Sequence, residues 1–113
     1  MNFWRHQANS APLALLALSL FLAAPGRAQS DAENLYKTKC AVCHAADGSG
    51  NAPAGKNLGV HDFATPEVRK ETDEQLVEIT AKGKNKMPGY EKSLKAAEIQ
   101  NLVVYIRELR KKK

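Results

Sequence analysis

The chain of 113 residues is poor in the residues that usually staple or anchor a small protein. It has two cysteines, so it has no second pair with which to cross-link itself, and a disulfide-dense fold is excluded. Its three histidines, at 6, 44 and 61, include no pair spaced for a zinc finger. After the initiator there is one methionine, Met87. No apolar run after residue 24 is long enough to enter a membrane. There are no internal repeats and no long low-complexity segment. A net charge of +5 is too small an excess to argue for a nucleic-acid partner.

The cysteines that are present sit together in Cys40-Ala41-Val42-Cys43-His44. This C-x-x-C-H spacing is the attachment signature of a c-type haem. Two thiols at this spacing suit addition across the two vinyl groups of the porphyrin. The adjacent imidazole of His44 reaches the iron from the same side, the usual proximal arrangement. Other readings fit less well. A thioredoxin-like dithiol needs a βαβ setting, which the pattern lacks. A structural disulfide leaves His44 without a role.

Residues 1–28 have the build of a secretory signal peptide. Arg5 and His6 give a basic start, Ala11 to Ala24 form an uncharged apolar stretch, and Gly26-Arg27-Ala28 offers a small-residue cleavage site after Ala28. The apolar stretch is short of the about 20 residues that span a bilayer. Cleavage leaves a mature domain, 29–113. Losing Arg5 and Arg27 lowers Lys plus Arg from 17 to 15 against 12 acids, or +3. Export agrees with the motif, since c-type haem is attached outside the cytoplasmic membrane. So small a domain buries little apolar surface and needs a staple; a covalent haem inside it would serve.

The rest of the mature chain reads as helices and loops. Asp31 to Lys39 is expected to be a short helix capped by Asp31. Ala45 to Gly59, rich in glycine around Pro53, reads as a loop wrapped on a ligand. Leu58, Val60 and Phe63 follow it as candidate haem contacts. Thr72-Asp73-Glu74-Gln75 is a capping box that starts a helix ending at Gly83. Met87 stands in the loop KNKMPGYE, where Pro88 and Gly89 fix a turn and can hold the thioether towards the iron from the face opposite His44. Ile99, Leu102, Val103 and Ile106 mark one face of a last helix from about Lys95 to Arg110, with Ser93 as a candidate cap. The basic end, Lys111 to Lys113, reads as a solvated tail.

In this order, the haem motif, Asp47-Gly48-Ser49-Gly50, the Met-Pro turn and the final amphipathic helix resemble a class I c-type cytochrome, close in character to the small bacterial c551 and c6 types. The resemblance covers the whole mature chain. It implies an all-α class I cytochrome c fold, with three main helices and loops wrapped around one covalently bound haem c. It further implies thioethers at Cys40 and Cys43, iron ligation by His44 and Met87, and a Pro53 carbonyl that accepts a hydrogen bond from the His44 imidazole. Ala32 stands where many members have glycine, at the crossing of the first and last helices, with Tyr36 and Tyr105 as the aromatics of that crossing. His61 is the rival to Met87, and would give bis-His ligation at a lower potential.

With both axial positions filled, the implied activity is one-electron transfer between Fe(III) and Fe(II) by a soluble, monomeric periplasmic carrier, not an enzyme. The alternative is a haem-based binder, sensor or enzyme in which Met87 leaves the iron. Redox partner proteins, a donor and an acceptor, are expected to dock near Lys82, Lys84 and Lys86.

Overall fold

The structure, a computed structural model, describes residues 25–111. The residues outside that range hold most of the expected signal peptide (1–28) and the end of the basic tail. Among the described residues there are helices and no strand. The helices are α1 (Pro25–Leu35), α2 (Ala41–His44), α3 (Pro53–Leu58), α4 (Pro66–Arg69), α5 (Asp73–Lys82) and α6 (Ala96–Lys111). A π-helical turn, Tyr36–Cys40, joins α1 to α2.

The first helix departs from expectation. It already includes Pro25, the first described residue, so Asp31 lies inside it and does not cap it, and it runs on through the π turn into the cysteine motif. The expected loop Ala45–Gly59 contains α3. Pro53 occupies the first turn of α3, where its fixed φ suits a helix, and Gly59 closes it at φ +67. Six residues are too few to print a helical period, so the proline and glycines read as loop punctuation.

α5 matches its expected limits. Thr72 Oγ1 accepts from the Gln75 amide at 3.1 Å, and Gln75 Oε1 accepts from the Thr72 amide at 2.7 Å. α6 starts one residue late. Ser93 donates to the Tyr90 carbonyl and does not cap it. Instead the Lys95 amide donates to the Glu98 carboxylate at 2.8 Å.

The core lies where α1 and α5 pack on α6. Ile99, Leu102 and Val103 are buried as the stripe requires, and each contributes about 1.5–3 kcal/mol by leaving water. Ala32 is buried on α1, and Tyr36 and Tyr105 meet at 5.3 Å between ring centroids. Two arginines of α6 reach outwards from this core. Arg107 bonds Asp73 and the carbonyls of Val68 and Glu71, tying α6 to the start of α5. Arg110 bonds Asp62 and the carbonyl of Asp47.

Candidate functional site

α2 presents the motif. Cys40 closes the π turn, and Cys43 and His44 end α2. The chain then reverses at Ala45, φ 65, and the Tyr36 hydroxyl donates to the Ala45 carbonyl at 2.6 Å. Burial pushes the Tyr36 phenol well above its ordinary range, so it stays protonated as a donor. The Gly50 amide caps the His44 carbonyl at 2.9 Å. α3 packs on this turn so closely that a side chain at Gly55 would collide with the Cys43 carbonyl.

Both cysteines are free and partly buried. Burial pushes the Cys40 thiol up to about 11, which disfavours the thiolate. No group of three His, Cys, Asp or Glu residues is placed to hold a metal ion among the described residues. Burial lowers the His44 pKa, which keeps the imidazole in the neutral form that ligates metals. Its Nδ1 is buried and has no hydrogen-bond partner. The bond expected from it to the Pro53 carbonyl is therefore not formed. Pro53 is exposed at the start of α3 and does not line the cavity described next.

Cys40, Cys43 and His44 line a cavity of about 580 Å³, within the range of small-molecule and cofactor sites. Met87 lines the same cavity, with Leu58, Val60, Phe63, Leu76, Ile79, Leu102, Val103 and Ile106. The three expected contacts Leu58, Val60 and Phe63 are all there. Met87 is carried on a tight turn. Lys84 and Met87 exchange backbone hydrogen bonds at 3.1 and 2.9 Å around Asn85, φ 53. The turn folds against the end of α5, where a β-carbon on Gly83 would come within 2.5 Å of the Met87 carbonyl.

His61 lines the cavity but is exposed. Lys84 and Lys86 line it and are exposed, as are the apolar side chains of Val42 and Leu58. Lys82 does not line it and pairs with Glu91 at 3.3 Å. Two relations within this lining have no counterpart in the sequence reading. Tyr90 lines the cavity and donates its hydroxyl to the Lys39 carbonyl at 3.3 Å, joining the methionine loop to the π turn. Phe63 does more than line it: its ring stacks on His44 at 4.7 Å. Neither relation has a signature in local spacing.

This donor set fits a haem. Two thiols and a neutral imidazole with a buried, unpartnered nitrogen border an apolar cavity that a thioether also borders. Residues 27–106 match the family model described as cytochrome C oxidase, cbb3-type, subunit III. A solved structure, the KustC0563 c-type cytochrome, is similar at 32% identity and a TM-score of 0.62, over 70% of this chain and 96% of that one. No curated protein matches. The chain therefore belongs to this cytochrome family and is a class I c-type cytochrome, all-α in fold, with a covalently bound haem c.

Proposed function

We propose that the protein is a soluble, exported one-electron carrier that works as a monomer in the periplasm after removal of residues 1–28. The observation that carries this reading is that His44 and Met87 border one apolar cavity that also takes both cysteines. When bound, the haem supplies the Fe(III)/Fe(II) couple. Cys40 and Cys43 would hold it through thioethers, and His44 and Met87 would ligate its iron. The soft sulfur of Met87 favours Fe(II) and raises the potential relative to two nitrogens. The apolar lining acts in the same direction by disfavouring the extra ferric charge. Two protein ligands would leave no position for oxygen or peroxide, which supports a carrier over an enzyme.

For the haem-bound state we assign the Pro53 carbonyl as the acceptor of His44 Nδ1, a bond not made in this structure. That nitrogen is buried and needs a partner, and a carbonyl there would orient the ring and raise its basicity. The exposed Lys84 and Lys86, which line the cavity, would steer acidic donor and acceptor proteins. Lys82, already paired with Glu91, would contribute less. Charge reversal at Lys84 or Lys86 is expected to slow reduction by the partner at low salt; an unchanged rate would remove these lysines from docking.

The test is the optical spectrum of the mature holoprotein in both oxidation states. A c-type α-band on reduction, with a weak far-red Met-to-Fe(III) band on oxidation, is the expected result. A c-type spectrum without the far-red band, together with carbon monoxide binding by the reduced form, would favour a binder or sensor with a labile sixth ligand. The missing band without carbon monoxide binding would bring His61 forward. A protein without covalent haem would overturn the reading.

A further inference from the structure

In this structure the buried Nδ1 of His44 makes no hydrogen bond. What touches its face is Phe63, stacked at 4.7 Å with 24° between the planes. Phe63 is itself tightly held. Its amide donates to the Gly48 carbonyl at 3.0 Å, and its ring lies so close to Gly48 that a β-carbon there would come within 2.7 Å of Cδ2. Gly48 also has a φ of +73, a conformation that side chains resist.

One guanidinium holds both backbone segments that meet at this point. Arg110 Nη2 donates to Asp62 Oδ2 at 2.7 Å, one residue before Phe63. Arg110 Nη1 donates to the Asp47 carbonyl at 3.1 Å, one residue before Gly48. Its side chain is only 8% exposed. Asp62 spends its other oxygen on the Ala64 amide at 2.7 Å, so the carboxylate is fixed from two sides. The rigid fork of an arginine spans two acceptors in this way; the single ammonium of a lysine does not. Arg110 lies beyond residues 27–106, the stretch that matches the family model, and it reaches back from the far end of α6.

We propose that the Arg110–Asp62 pair is a positioning device for the axial histidine. It clamps the Asp47–Gly48 and Asp62–Phe63 segments together, which presses the Phe63 ring onto the His44 face. The ring then fixes the rotation of the imidazole and keeps water from it. Pro53 would govern the edge of the same imidazole, and Phe63 governs its face. Both levers tune a haem iron through its ligand and the dryness of its surroundings. Arg110 touches no reacting atom and acts through Asp62 and Phe63. The inference rests on His44 as the proximal ligand.

The test uses purified holoprotein and two readouts. One is the midpoint potential. The other is the set of hyperfine-shifted haem-methyl proton resonances of the Fe(III) form, whose spread reports axial-ligand orientation. Phe63→Leu is expected to move the equilibrium roughly tenfold towards Fe(III), about 59 mV for one electron, and to rearrange the methyl resonances. Arg110→Gln and Asp62→Asn should move both readouts in the same direction by less, and Arg110→Lys should recover part of the change. Leu94→Ala, in the core but away from the cavity lining, should lower the denaturation midpoint and leave both readouts in place. If Arg110→Gln yields no holoprotein, Asp62→Asn carries the same test. The proposal is overturned if Phe63→Leu leaves both readouts unmoved. It is also overturned if the Arg110 and Asp62 variants only unfold more easily, as Leu94→Ala does. Failure of the haem reading would show separately, as wild-type protein without covalent haem.

Discussion

The two walls of the cavity, one carrying His44 and the other Met87, are built on different plans. The wall of Cys40, Cys43 and His44 is tied to distant parts of the chain. α3 packs against it at Gly55, Tyr36 bonds its exit turn, Phe63 covers the imidazole, and Arg110 locks Phe63 from the other end of the sequence. The wall of Met87 is a turn closed by two backbone bonds between Lys84 and Met87 and packed through Gly83 and Gly89 on the end of α5. Beyond that it hangs from the end of α5 by the amides of Tyr90 and Glu91, at 3.0 and 3.1 Å, and from the π turn by the exposed Tyr90 hydroxyl bond. Segments with few buried contacts and exposed hydrogen bonds open at low free-energy cost. The methionine side is thus the side that can yield, while the histidine side is fixed by packing.

This contrast is broken most severely at Gly55. A methyl group there meets the Cys43 carbonyl and comes within 2.9 Å of the Gly50 carbonyl, and backbone has no rotamer by which to move aside. Gly55→Ala is expected to cost about 3 kcal/mol or more, the upper end for overpacking. Denaturant unfolding and the yield of covalent holoprotein would both fall; an unchanged yield and midpoint would mean that α3 can lift off the motif freely.

Met87→Ala tests the other wall and should do the reverse. The far-red band should disappear and the potential should drop, while the unfolding midpoint moves by no more than about 1–2 kcal/mol, because Met87 is only half-buried and its turn is held by backbone bonds. A loss as large as that of Gly55→Ala would erase the distinction between the walls.

The histidine wall also carries a pH dependence. Burial raises the Tyr36 phenol above its ordinary pKa, which is about 10. The folded state therefore holds the proton more tightly than the unfolded state does. Its stabilisation is full below pH of about 10 and declines as pH rises through the folded value. Tyr36→Phe should lose about 1 kcal/mol at neutral pH with its hydrogen bond. It should also flatten the fall in the unfolding midpoint above pH of about 10. Parallel curves for the two proteins would assign the alkaline loss to another group. The smallest effect is expected away from both walls: Thr72→Ala removes the cap of α5 and should cost about 1 kcal/mol without moving the optical spectrum.

What could be read from the sequence was local. The C-x-x-C-H spacing, the Thr72 capping box and the Ile99–Ile106 stripe each fit within two or three turns of chain. Each is found in the structure near its expected place. α3 was hidden because a six-residue helix has no period and its Pro53 reads as a turn. Asp31 does not mark the start of α1 because it is a good cap but also a tolerable interior residue. The contact between Phe63 and His44, and the Arg110 pair behind it, join residues 19, 48 and 63 positions apart, and no local pattern encodes such distances. The same holds for Tyr90, whose partner Lys39 lies 51 residues away.

The π turn at Tyr36–Cys40 is a phase shifter. Its closing bond runs from the Ala41 amide to the Tyr36 carbonyl, five residues apart, so the turn holds one residue more than an α-helix would use. Each residue of a helix advances the side chains by about 100°. The helix upstream is keyed to the α6 crossing through Ala32 and Tyr36, and the helix downstream is keyed to the cavity through Cys43 and His44. The surplus residue lets one continuous rod satisfy both keys. Removing a single residue here, Thr38 for instance, would leave every helix-forming preference intact and yet turn the two thiols and the imidazole about a quarter-turn away from the place where they must act together.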